Sequence, residues 1–181
     1  MTEAEPEYDD QHMRFLELLW GDGYLSPGGP AEVERVLSGI ELSGKRVLDL
    51  GFVGGSGGIT LFIAEKFHPK QIVGFDVELP VIDRARRRAT KAGLAGQVEF
   101  TQGPPGHLPF PDESFDLVFS KDAMVHIADK DAIFAEIFRV LKPGGMFAAS
   151  DWLISHDGAP SADMQSYIAA EGFSFVSQAL Y

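Results

Sequence analysis

The sequence predicts an α/β domain built on a parallel sheet flanked by helices, and three observations carry that expectation. Short β-branched or apolar runs alternate with longer stretches of helical periodicity along the chain. The first apolar run leads into a glycine-rich segment, Gly51 to Gly58, directly ahead of a helical pattern. The second run ends on a carboxylate, Asp76. With 181 residues and 45% hydrophobic content, the chain can bury one sizeable core, and its length favours one domain.

Taken in order, residues 12–20 read as a short amphipathic helix, and 21–30 are too rich in glycine and proline for regular structure. This segment reads as a lid or loop over a site. Strands are predicted at 46–50, 71–76, 98–101, 115–120 and 146–151, and helices at 57–67, 79–92 and 130–141. In the last helix Ile133, Ile137, Val140 and Leu141 share one face, and Lys142-Pro143-Gly144-Gly145 terminates it. Ser177 begins a capped pattern that stops before three turns are complete, so the C-terminal part is expected to be incomplete. The predicted organisation is a lid helix and loop at 1–30, a Rossmann-like core at 31–155 and a truncated C-terminal segment at 156–181.

The formal net charge of −12 argues against a nucleic-acid partner, which requires a basic face. One basic run, Arg84 with Arg86, Arg87 and Arg88, lies beside the apolar stripe of Val81, Ile82, Ala85, Ala89 and Ala92, and reads as a solvated helix face. Without cysteine there is no disulfide framework or thiolate metal site, and the scattered histidines lack metal-ligand spacing, so no metal is expected. The apolar stretches are far shorter than the ~20 residues that span a bilayer, and the first residues are acidic where a signal peptide is basic. The expected address is cytoplasmic, with no membrane partner.

Glycines and a helix N-terminus after the first strand allow a ligand close to the backbone, and Asp76 after the second can accept hydrogen bonds from both hydroxyls of a ribose. A tight βα turn is the structural alternative. A dinucleotide-binding dehydrogenase is the competing functional one, ranked lower because Val53 holds the place of the second glycine and the acid comes 27 residues after Asp49 rather than ~20 after the glycines of a G-x-G-x-x-G pattern.

Over roughly residues 45–153 the chain resembles the class I S-adenosylmethionine-dependent methyltransferases. The resemblance rests on Val47-Leu48-Asp49-Leu50-Gly51, Gly74-Phe75-Asp76, Leu108 through Val118 and Phe138-Arg139-Val140-Leu141-Lys142-Pro143-Gly144-Gly145, in that order. It narrows toward the phosphoethanolamine N-methyltransferase group on Trp20 through Gly29 and Ser120 through His126. The resemblance implies a class I methyltransferase fold with an incomplete C-terminal part and S-adenosylmethionine as cofactor. It places cofactor contacts on Leu25, Ser26, Gly51, Asp76, Val77 and Lys121. It also implies a catalytic latch of Tyr8 and His126, with Asp122 contacting the substrate amine. A neutral imidazole can take the amine proton, and a carboxylate can orient an ammonium.

Three departures stand out. Phe52 and Val53 occupy the glycine loop, where a side chain is expected to crowd the methionine moiety; Pro104 stands where an acid meets the adenine; and Glu171 stands where the group's phosphate-binding arginine is found. Trp152 and Phe173 replace two of its tyrosines and Tyr167 is kept, so phosphoethanolamine itself is disfavoured. The expected function is S-adenosylmethionine-dependent methyl transfer to a small-molecule acceptor, at nitrogen or oxygen. The alternative is a non-catalytic or truncated interaction module of the same fold. Because this family completes its sheet with two further strands, the fifth strand is expected at an open edge, leading to a homodimer or to a tail folded back on that edge.

Overall fold

The computed structural model describes residues 10–52, 56–155, 158–179 and 181, so Tyr8, Val53 and Leu180 lie outside the described residues. The elements run α1 (Asp10–Trp20), α2 (Gly29–Val36), β1 (Arg46–Leu50), α3 (Gly58–Phe67), β2 (Gln71–Asp76), α4 (Leu79–Ala92), β3 (Val98–Gln102), β4 (Phe115–Lys121), a 3₁₀ turn (Met124–His126), α5 (Lys130–Val140), β5 (Leu141–Ser150) and α6 (Ala162–Glu171). The five strands form one sheet in the order β3-β2-β1-β4-β5, and every pair is parallel.

Alternation along the strands builds a core on each face of the sheet. Val47, Ile72, Val98, Leu117 and Phe119 point to one side, where Val33 of α2, Ile59 and Ile63 of α3 and Val81 and Ala85 of α4 cover them. Leu48, Leu50, Val73, Phe75 and Val118 point to the other, under Ile133, Ile137 and Val140 of α5. Burial on both faces is why the central strands read as continuous apolar runs.

Several boundaries differ from those expected. Helix α2 begins inside the glycine-proline segment, because Pro30 suits the first turn of a helix, where its missing N–H costs nothing. Leu141 does not extend α5 but already pairs with Phe115; the next register pair is Leu117 with Met146, so Lys142-Pro143-Gly144-Gly145 is a bulge within β5 rather than a stop ahead of it. The last helix is capped by Ser161, whose side chain accepts Met164 N–H, and not by Ser177, which bridges to Ile154. Helix α6 buries no residue, so it leaves no apolar stripe to read in the sequence.

Strand β5 lies at the end of the sheet, as expected of the fifth strand. The tail folds back but does not lengthen that edge: Ile154 N donates to Val176 O at 3.1 Å, past the end of β5, and Ser174 N to Val125 O at 2.7 Å, in the turn after β4. Lys130 fastens it, donating to the carbonyls of Met124, Ile127 and Ser174. Phe173, Phe175, Val176 and Tyr181 are half-buried by this return, rather than adding open apolar surface. Among the described residues no helix is long and apolar enough to cross a membrane.

The basic run of α4 is only partly a solvated face. Arg86 and Arg87 are exposed, but Arg84 and Arg88 both donate to Glu17 of α1, and Arg88 also holds Asp22. Ser56 Oγ adds a bond to Glu17 at 2.6 Å. These contacts dock the N-terminal helix and the following loop onto α4. Burial raises the Glu17 pKa, but Ser56 and the two arginines outweigh it and hold the carboxyl below the ordinary glutamate value of 4.5. A depressed folded-state value contributes stability that is present above the unfolded pKa and lost as pH falls through the folded one. Acidification below pH 4.5 should therefore accelerate amide exchange in α1 before it does in the sheet. Glu17→Gln should remove this pH dependence and speed α1 exchange at neutral pH; α1 exchange that tracks the sheet at every pH would sink the clamp.

Candidate active site

The chain runs outward from β1 to β2 and β3, then returns across the sheet to β4 and β5, so the C-terminal ends of β1 and β4 frame a crevice at the point where strand order reverses. Gly51 ends β1 there with φ of 66°, and a Cβ on it would lie 2.4 Å from the Cβ of Ala123, so both conformation and contact require glycine. Its N–H donates to Phe75 O at 2.8 Å. Phe52 does not crowd the crevice: it is buried in the core, 5.0 Å from the Phe100 ring. The corresponding expectation for Val53 lies outside the described residues.

Behind this turn Asp49 accepts Thr60 Oγ1–H at 2.6 Å, and full burial pushes its pKa up to about 7. Asp76 closes β2, also buried, with Oδ1 accepting Glu78 N–H at 2.9 Å. Its register partner is Gln102, whose Nε2 donates to Val77 O. Val77 itself is exposed. In the loop preceding β4, Arg139 donates to Leu108 O, Phe110 O and Asp112, and Glu136 accepts Leu108 N–H. Arg139 holds the Glu136 pKa at about 2.

Lys121 ends β4 and is only 2% exposed. Its ammonium donates to Ser26 Oγ at 2.7 Å, to Pro27 O at 2.7 Å and to Asp122, with Glu32 at 3.3 Å. The lysine therefore pins the 21–28 loop and α2 to the end of the sheet. Gly58 gives the same loop a second seat, because a Cβ there would lie 2.3 Å from Gly23 O. Asp122 follows at φ of 55°, a left-handed conformation unusual for a residue with a side chain and found preferentially at functional sites.

These elements enclose a cavity of about 750 Å³ between α1, the 21–28 loop, the segments after β4 and β5, and α6. Of the predicted site residues, Leu25, Ser26, Asp122 and His126 line it. Gly51, Asp76 and Val77 lie instead at the strand ends, and Lys121 sits beneath the loop. Tyr8 falls outside the described residues. The His126 ring lies 5.2 Å from Phe173, which touches Tyr167 and Phe175 in turn. His12, Leu16 and Trp20, spaced by four on α1, also face the cavity, as do Met164, Tyr167 and Glu171 of α6. The spacing was legible in sequence, but which side of each helix met a cavity was not.

A family model described as a methyltransferase domain matches residues 41–169. The chain belongs to the methyltransferase domain family. Phosphoethanolamine N-methyltransferase 1 of Arabidopsis thaliana is 36% identical over 168 residues, which is 92% of this chain and 33% of that protein. Sterol 24-C-methyltransferase ERG6A of Gibberella zeae is 43% identical over 153 residues, covering 78% of this chain and 39% of that one. A solved structure of Haemonchus contortus phosphoethanolamine N-methyltransferase 2 in complex with S-adenosyl-L-methionine superposes with a TM-score of 0.89 at 29% identity, over 97% of this chain and 40% of that chain. This methyltransferase domain thus spans about a third of the length of its curated phosphobase relative.

Removing the buried ammonium strands Asp122 and Glu32 as partly buried charges without their partner. Lys121→Met should destabilise the domain by about 3 kcal/mol and make the 21–28 loop the first site of proteolysis. An unchanged denaturation midpoint with a protected loop would refute the pinning role.

Proposed function

We propose that the chain is an S-adenosylmethionine-dependent methyltransferase acting on a small-molecule acceptor, at nitrogen or oxygen. The observation that supports this most directly is the arrangement at the strand ends. A glycine that tolerates no side chain follows β1 beside the buried carboxylate that ends β2, and past the end of the neighbouring β4 a cavity holds an acid and an imidazole. This donor set fits the cofactor: Asp76 offers acceptors for the ribose hydroxyls, Gly51 keeps the backbone open, and Leu25 and Ser26 lie where the loop meets the cavity. Val77 and Lys121 complete the proposed cofactor surroundings, with Lys121 acting by holding Ser26 and Pro27 in place.

When bound, the cofactor supplies a methyl group on a sulfonium, and the carbon–sulfur electron pair stays on sulfur as the new bond to the acceptor forms. Asp122 orients the acceptor's ammonium, and His126 takes the proton that frees its lone pair. Tyr8 is proposed to close the latch over His126. A cytoplasmic location and a homodimer through the β5 edge belong to the same reading, the latter supported by the position of β5 at the end of the sheet.

Asp76→Ala should weaken S-adenosylmethionine by at least about 1.5 kcal/mol in calorimetric titration, the scale of charge-assisted hydrogen bonds. Unchanged affinity would remove the ribose role. His126→Ala and Tyr8→Phe should slow methyl transfer by about a hundredfold or more while cofactor affinity stays nearly intact. Equal losses of affinity in both would make these residues structural instead.

A further inference from the structure

The cavity wall has a charge and surface character that the general function does not use. Among the described residues it carries two carboxylates, Asp122 and Glu171, and no arginine or lysine. Two ammonium groups lie behind the wall and both are already surrounded, Lys121 by Ser26 Oγ, Pro27 O, Asp122 and Glu32 and Lys130 by the carbonyls of Met124, Ile127 and Ser174, so neither offers anything further to an incoming anion. The N-terminal end of α6, also at the wall, is capped internally by Ser161. A phosphate or carboxylate entering here would meet acids with no fork of donors to receive it.

The apolar part of the wall is aromatic. Trp20, Trp152 and Tyr167 line the cavity while remaining 43%, 50% and 51% exposed. Phe173 joins Tyr167 to His126 through ring contacts of 5.9 Å and 5.2 Å. Half-exposed aromatic faces beside carboxylates attract an organic cation twice, through the ring quadrupoles and through direct charge, and the net charge of −12 steers cations toward the protein.

We propose that the acceptor is an alkylammonium compound with an apolar or aromatic portion and no anionic group, and that Glu171 sets this preference at the rim while Asp122 receives the reacting nitrogen. This rests on the methyltransferase reading and names its substrate class. Once the acceptor's proton has left to His126, the amine lone pair forms the new carbon–nitrogen bond as the methyl–sulfonium bond breaks, its electron pair staying on the departing S-adenosylhomocysteine, and a primary or secondary amine becomes a secondary or tertiary ammonium.

The test uses calorimetry on the full chain. Titration with S-adenosylhomocysteine alone reads the cofactor assignment, and failure there leaves the acceptor class to be measured separately on the cofactor-free protein. 2-Phenylethylamine, its neutral analogue 2-phenylethanol and phosphoethanolamine are then compared with and without S-adenosylhomocysteine. The amine should bind about tenfold more tightly than the alcohol, and phosphoethanolamine more weakly than the amine. Glu171→Gln should shrink the amine-to-alcohol ratio several-fold, and Glu171→Arg should shift the preference toward phosphoethanolamine. Because Glu171 is exposed at the last turn of α6, both variants should keep the fold, checked by an unchanged melting temperature. Tighter binding of phosphoethanolamine by the unaltered chain, no amine binding at millimolar concentration, or a ratio indifferent to both substitutions would each overturn the proposal.

Discussion

Burial of the parallel sheet on both faces is the constraint from which the rest of the structure follows. With helices over each side, β1 and β4 are apolar along most of their length, a buried polar group such as Asp49 being held by Thr60, and it is at their C-terminal ends that polar groups meet the crevice. There the reversal of strand order opens the crevice, and Gly51 against Ala123 shows how little room the backbone leaves. Asp76, Lys121 and Asp122 are all strand-end residues, positioned by a hydrophobic framework that takes no part in the chemistry itself.

The N-terminal helix and loop belong to the site rather than to the sheet, and charge attaches them. Glu17 receives Arg84 and Arg88 from α4, while Lys121 gathers oxygens from the loop, from α2 and from Asp122. Such pairs add little net stability against well-packed apolar groups, yet they are costly to break from one side only. What they give here is geometry: α1 is set so that His12, Leu16 and Trp20 face the cavity, and the 21–28 loop is set over the end of β4.

The cavity combines this charge framework with aromatic surface supplied by the returning tail. Lys130 gathers three carbonyls, one of them from the tail at Ser174, and so seats Phe173 against His126. The imidazole therefore touches an aromatic cluster in the same cavity that a strained Asp122 lines. Such an environment suits an organic cation better than a hydrated anion.

The sequence by itself determined the alternation of strands and helices, the parallel sheet, the glycine turn after β1, Asp76 after β2 and the family, because each depends on local periodicity or on contiguous motifs. Motif resemblance also singled out Leu25, Ser26, Asp122 and His126, and these four line one cavity. Only the tertiary structure decided that Phe52 turns into the core, that Arg84 and Arg88 clamp α1, that α6 walls the cavity and that Lys121 pins the loop. Each of those outcomes depends on contacts between residues far apart in the chain, such as Lys121 with Ser26 or Arg84 with Glu17. A local pattern can say that a side chain is charged or apolar, but its partner is chosen by packing, where the desolvation of one group is offset by another that only folding brings within reach.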